Sequence, residues 1–161
     1  MFEDVSSIIV KNSFFKNSSS SHGFEISDGS STVTLDNVFI HNSGYSGSSA
    51  YGLYVSSSSS VTIKNGTKVG NSKTYELYAN GASTFKVQNS TFIGPNLALI
   101  EDSDGFLIEK STFKDSSSGD YGVHIKNTDS GTFKDNNILN SASDDGSDYG
   151  ALYLTGSKTN L

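Results

Sequence analysis

The stretch YGLYVSSSSSVTIKN, residues 51–65, carries five consecutive serines at 56–60. Such a run is either a flexible linker between two domains or a turn inside one fold. Just after it, Val61 and Ile63 alternate with Thr62 and Lys64 and lead into Asn65, which is the period of a β-strand. The same figure returns along the chain. It reads Ile8-x-Val10-x-Asn12, Val33-x-Leu35-x-Asn37, Phe85-x-Val87-x-Asn89, Phe106-x-Ile108-x-Lys110 and Gly131-x-Phe133-x-Asp135. The closing residues are 25, 28, 24, 21 and 25 positions apart.

A second segment follows each closing residue. Three positions on come Phe15, Ile40, Lys68, Phe92, Phe113 and Ile138, with Lys68 an imperfect rung that has Val69 next to it. A further segment precedes the figure, with Leu53 and Val55, Leu77 and Ala79, Ala98 and Ile100, and Val123 and Ile125 at constant offset. Five residues separate it from the figure in each case: SSSSS (56–60), NGAST (80–84), EDSDG (101–105) and KNTDS (126–130). In the coil of Phe24 and Ile26 the spacer is the six-residue SDGSST (27–32). The serines therefore fill a turn slot inside a repeat, where their hydroxyls can bond nearby backbone.

Three short strands in about 24 residues describe an all-β parallel β-helix of about six coils, a solenoid whose like residues stack at about 4.8 Å. The closing Asn suits a left-handed residue that bends the chain, and Lys110 and Asp135 are expected to distort that turn. Residues 1–161 read as a single domain, expected to be a segment of a longer solenoid or an end-to-end assembling unit.

Composition limits the function classes. The 161-residue chain has a net charge of −6, 11 lysines and no arginine, and no basic patch of the kind that binds nucleic acid. It has no cysteine and no apolar run long enough to span a membrane, and its start lacks the features of a signal peptide.

These repeats resemble the right-handed parallel β-helix, or pectin-lyase-like, superfamily over almost the whole chain. Phe14-x-x-Asn17, Phe39-x-x-Asn42 and Phe133-x-x-Asn136 are similar to the F-x-x-N repeats of polymorphic outer-membrane proteins and related surface adhesins. The glycine motif of those adhesins is echoed by Gly52-Leu53-Tyr54-Val55 and Gly122-Val123-His124-Ile125. The resemblance implies an extracellular or cell-surface protein, with ligands lying across the first strand of each coil.

In this sequence the outward first-strand positions are Glu25, Tyr54, Tyr78, Leu99 and His124, with Tyr51, Tyr75, Tyr121 and Tyr149 just ahead of the strands. Tyr54, Tyr78 and His124 with those four tyrosines form a candidate sugar platform, since rings stack on the apolar faces of pyranoses. The competing reading is an aromatic ladder that only stabilises stacked coils. For the four preceding tyrosines, parity also allows an inward or corner position.

No catalytic residue is assigned. The superfamily's pectate lyases use an arginine base, and its polygalacturonases carry motifs of which only the strings Asn127-Thr128-Asp129 and Asp144-Asp145 occur here. Asp115 with Asp120, or Asp144, Asp145 and Asp148, offer paired carboxylates. No cofactor is expected beyond calcium at Asp144, Asp145 and Asp148. His22 and His41 lack metal-ligand spacing and read as surface residues.

The expected function is an extracellular surface or filament-forming β-helix for adhesion or structure, contacting glycans through its Tyr/His face. The alternatives are a fragment of a glycoside hydrolase or lyase, or a phage tail-spike β-helix. Expected partners are a polysaccharide or cell-surface glycan and like chains, end to end or side by side.

Overall fold

The computed structural model describes residues 6–16, 22–27, 32–41, 43, 50–57, 60–116, 122–141, 151–156 and 158–160. Its strands stack as three parallel sheets. The second strands of the coils form a seven-stranded sheet: β1 (Ile8–Lys11), β4 (Val33–Asp36), β7 (Val61–Lys64), β10 (Phe85–Gln88), β13 (Leu107–Glu109), β16 (Asp129–Lys134) and β19 (Lys158–Asn160). The third strands form a six-stranded sheet: β2 (Phe14–Lys16), β5 (Phe39–His41), β8 (Lys68–Gly70), β11 (Thr91–Ile93), β14 (Thr112–Lys114) and β17 (Asn137–Leu139). The first strands form another: β3 (Phe24–Ile26), β6 (Leu53–Ser56), β9 (Leu77–Asn80), β12 (Ala98–Glu101), β15 (Val123–Lys126) and β18 (Leu152–Thr155). Every pairing is between successive coils, which makes the chain a parallel β-helix of three strands per coil.

The register is the one the repeat predicts. Val33 pairs with Val61 and Val61 with Phe85, and Ile40 stands over Val69, Phe92 and Phe113 in turn. Alternate residues face a single core. Val61, Ile63, Leu77, Val87, Phe92, Ile108, Phe113, Val123 and Ile125 are all buried. Like rings stack within it, with Phe92 and Phe113 at 5.0 Å between centroids.

Left-handed residues make the corners. Asn12, Asn37, Asn65 and Asn89 all have φ between 47° and 56°. Lys110 (φ 50°) and Asp135 (φ 54°) adopt the same conformation, so the expected distortion there is absent. The coils on either side fix the backbone, and a cost of about 1–2 kcal/mol for a left-handed residue is met by the stack. The rung at Lys68 is also corrected. Gly66, at φ 83°, takes up an extra residue after Asn65, so Val69 enters the core and Lys68 turns outward.

Side chains fasten the corners between coils. The Asn37 amide donates to Asn12 Oδ1 at 2.8 Å, while Asn65 donates to Asp36 Oδ1 at 2.9 Å. Ser111 Oγ accepts the Ser90 N–H at 3.2 Å and donates to Glu109 O at 2.9 Å. Asn136, the last residue of one F-x-x-N string, accepts the Ser111 N–H and donates to Ile108 O. The serine run behaves as a turn where it is described. Ser57 is left-handed and donates to Asn80 O, and Ser60 O accepts from Val33. Ser58, Ser59 and most of 27–32 lie outside the described residues.

Candidate functional site

The six first strands present alternate residues outward in register: Glu25, Tyr54, Tyr78, Leu99, His124 and Tyr153. The Tyr54 and Tyr78 rings, one coil apart, stack at 5.4 Å. Tyr51 precedes β6, and its ring lies on this outward face rather than in the core, 5.5 Å from Tyr54 and 4.6 Å from Tyr78. Tyr75 flanks it at 6.3 Å. Close packing of the preceding turn holds the chain there. A Cβ on Gly52 would collide with Val69 and come within 2.8 Å of the Glu76 carbonyl.

His22 is not the isolated surface residue its sequence context predicts. Its ring stacks on Tyr51 at 4.9 Å and lies 4.6 Å from Tyr54, and its Nδ1 accepts the Tyr51 N–H at 3.1 Å. Burial against these rings lowers its pKa, with Glu25 opposing. Such a site favours the neutral imidazole. The Tyr51 phenol is pushed up by burial and by its neighbours Tyr54 and Glu101.

A polar cluster borders the rings. The next outward row runs Ser56, Asn80, Glu101, Lys126 and Thr155. The Tyr78 hydroxyl donates to Glu101 Oε1. Asn80 Nδ2 donates to the same oxygen at 2.7 Å and to the Tyr78 hydroxyl at 3.0 Å. Lys126 Nζ lies 3.3 Å from Glu101 Oε2. Burial and the bond to Glu101 push the Tyr78 phenol up. Burial also raises the Glu101 carboxyl, but hydrogen bonds from Tyr78, Asn80 and Lys126 outweigh it and hold the group below the usual carboxylate range. Glu101 is thus an ionised acceptor fixed by three donors beside a set of ring faces.

His124 stands farther along the same face, 4.9 Å from the Tyr153 ring, with Nε2 3.1 Å from Thr155 Oγ1. Burial and Lys126 lower its pKa, with Glu101 opposing. The structure therefore brings Tyr51, Tyr54, Tyr75 and Tyr78 together and leaves His124 in a separate pair. Tyr121, Tyr149, Asp120, Asp144, Asp145 and Asp148 lie outside the described residues. Sequence reading missed His22, Asn80, Glu101, Lys126 and Tyr153. Counting two positions beyond each outward residue would have found the polar row. The Leu152-Tyr153-Leu154 string echoes Leu53-Tyr54-Val55 and marks Tyr153.

Among the described residues, no three His, Cys, Asp or Glu side chains come together as a metal site. His22, His41 and His124 are divided between two sheets.

A family model described as "Periplasmic copper-binding protein (NosD)" matches residues 3–161. No curated protein and no solved structure matches the chain. The match covers nearly every residue and agrees with the parallel β-helix geometry: the chain belongs to the NosD family, a periplasmic family of right-handed β-helix proteins.

Proposed function

We propose that this NosD-family chain is a β-helix that works outside the cytoplasm as a glycan-contacting surface protein, with the first-strand face as its platform. The observation that carries this reading is the packing of His22, Tyr51, Tyr54 and Tyr78 on one outward face beside the fixed Tyr78–Asn80–Glu101–Lys126 cluster. Half-exposed rings offer stacking area to a sugar ring, and the ordered carboxylate and amide match its hydroxyls. A purely structural ladder would not need the polar row.

Two features favour binding over hydrolysis. A glycosidase of the two-carboxylate type needs its acids about 5–9.5 Å apart. The carboxylates facing outward on this sheet are Glu25 and Glu101, three coils apart, or about 14 Å along the stack at one sheet spacing per coil. Glu101 is moreover held ionised and paired with Lys126, which does not suit a general acid. A glycoside hydrolase or lyase is the second reading. Adhesion, a cell-surface location and association with like chains belong to the first.

The family description names copper, and the residues described here do not fit a copper centre. Copper sites draw on Cys, Met or clustered His. The chain has no cysteine, and its one methionine, Met1, lies outside the described residues. His22 and His124 lie beside strands four coils apart, about 19 Å along the stack, while His41 is on another sheet.

The test is titration calorimetry of the chain against a panel of neutral and acidic oligosaccharides. Binding by at least one, weakened about tenfold or more by Tyr54→Ala or Tyr78→Ala, is the expected result. A wild-type chain that binds none of them, or variants that bind as well as it does, would overturn the reading.

A further inference from the structure

The third-strand sheet carries a cleft that the glycan reading does not use. Its outward residues include a row in register across the coils: Lys16, His41, Gly70, Ile93 and Lys114. Gly70 leaves a gap in that row. The gap opens into a cavity of about 280 Å³, walled by His41 and Ile93 and bordered by Phe39, Lys68 and Asn71.

Packing favours a glycine at this position less strongly than at most others in the fold. Gly23, Gly52, Gly94, Gly122 and Gly131 are all forced by crowding, because a Cβ on any of them would collide with a neighbour. A Cβ on Gly70 would lie 3.2 Å from the Ile93 carbonyl, which would have to yield by a few tenths of an ångström, and its φ is not left-handed. It would point between Ile93 and the His41 ring, whose Cδ2 lies 3.9 Å away. Glycine within a strand weakens it and often marks a close approach by another group.

The gap has the dimensions of a ring. His41 and Ile93 flank Gly70 one coil away on either side, and a group at the Gly70 Cβ position would lie 3.7 Å from Ile93 Cβ and 3.9 Å from the His41 ring, van der Waals contact on both faces. The sheet already stacks rings in the neighbouring row, where Phe14 and Phe39 lie 5.3 Å apart, with Phe14 61% exposed.

The charge of this face selects the ligand further. The chain is acidic overall, at −6, yet the six strands of this sheet carry Lys16, Lys68 and Lys114 and no carboxylate. Lys114 is engaged by the corner residue Asp115 at 3.8 Å. Lys68 is exposed at the cleft itself, with Nζ 6.0 Å from the Phe39 centroid. The buried acid Glu76 lies against Gly94, a lining residue of the cleft, and accepts the Ser72 N–H.

We infer that the Gly70 cleft is a binding site for a small aromatic carboxylate, its ring inserted between His41 and Ile93 and its carboxylate facing Lys68. The site is independent of the first-strand platform and of its ligand.

The probe is 1-naphthoate, followed by calorimetry and by the His41 ring signals in NMR, with the neutral isostere 1-naphthalenemethanol as comparison. The acid is expected to bind and to shift the His41 signals, and the alcohol to bind about tenfold or more weakly. Gly70→Val fills the gap and should abolish binding. Lys68→Met keeps the stem and should erase the preference for the acid. Tyr54→Ala should leave both unchanged. If Gly70→Val fails to fold, Lys68→Met with Gly70→Ala decides the matter. No binding by the wild-type chain, or an acid preference that survives Lys68→Met, would overturn the inference.

Discussion

At the scale of single residues, Glu76 is the group whose chemistry departs furthest from its ordinary state. It lies fully buried in the turn between β8 and β9, beside Tyr75, and both its oxygens receive the Ser72 N–H, at 2.9 and 3.2 Å. Burial pushes its carboxyl up to about 7, and bonds from Ser72 and Asn71 offset only part of that. The folded pKa therefore exceeds that of the unfolded chain, about 4.3. Below the unfolded value both states hold the proton and the group costs nothing. As pH rises toward 7 the unfolded chain releases the proton first, so stability falls, and above 7 the full penalty of about 3–4 kcal/mol stands. The melting temperature of the wild-type chain should therefore drop between about pH 5 and pH 8. Glu76→Gln, which keeps an acceptor for Ser72, should flatten that slope and melt higher at the alkaline end. An unchanged slope in the variant would assign the pH dependence to other groups. Nothing in the local string KTYEL marks this burial, because Gly94, the residue that makes room for the carboxylate, lies 18 positions downstream.

At the scale of the element, the turn at 56–60 fixes the reach between β6 and β7. Both flanking strands pair with the coils on either side, so their separation is set by neighbours as well as by the turn itself. Loop entropy changes little when a few residues are removed, and a true linker tolerates it. Here, deleting two of the five serines should pull β6 or β7 out of register and turn their core residues toward solvent. The expected outcome is a lower, broader melting transition by circular dichroism. A transition that matches the wild type would return the run to linker status. Strands and corners were legible because the solenoid repeats its constraints. Each inward position recurs at a fixed offset from a left-handed corner, and so Val61, Phe92 and Val123 could be placed from pattern alone. The rung at Lys68 was misplaced because one extra residue, absorbed by Gly66, looks the same in sequence as a polar intrusion. Lys110 and Asp135 keep the corner against their residue propensity, because the neighbouring coils impose it. The site was less legible. Facing positions were correct for Tyr54, Tyr78 and His124, but a ring such as Tyr51 or His22 leaves its strand's parity as soon as it sits outside the strand.

At the scale of the whole molecule, the described coils are bounded by two cross-sections. Each sheet ends in strands that pair on one side only among the described residues: β1, β2 and β3 at one end, β17, β18 and β19 at the other. The core thins there too. Ile8, Val10, Phe15 and Phe24 at one end, and Ile138 and Leu152 at the other, are only partly buried, and Leu154 is 37% exposed. Unpaired strand edges beside apolar side chains accept another strand, as any open sheet edge does. Both ends repeat the same three-cornered outline, since every coil is built on the same register. One end can therefore stack on the opposite end of a second copy with β19 against β1, which continues the seven-stranded sheet and leaves a one-strand gap in each of the two six-stranded sheets. Such a contact is heterologous and does not close on itself, so successive additions give a filament rather than a dimer. Measured on the isolated 161-residue chain, association of this kind is the expected outcome. Its sedimentation coefficient should rise with concentration, and electron microscopy should show rods with the width of a single solenoid. Leu154→Lys places a charge at one cross-section only and should stop growth while leaving the internal coils and their melting intact. A wild-type chain that sediments as a monomer at every concentration tested would overturn the proposal. Growth that persists in Leu154→Lys would shift the contact from the ends to the sides of the solenoid, where the exposed Phe14 and Phe39 pair offers an apolar surface.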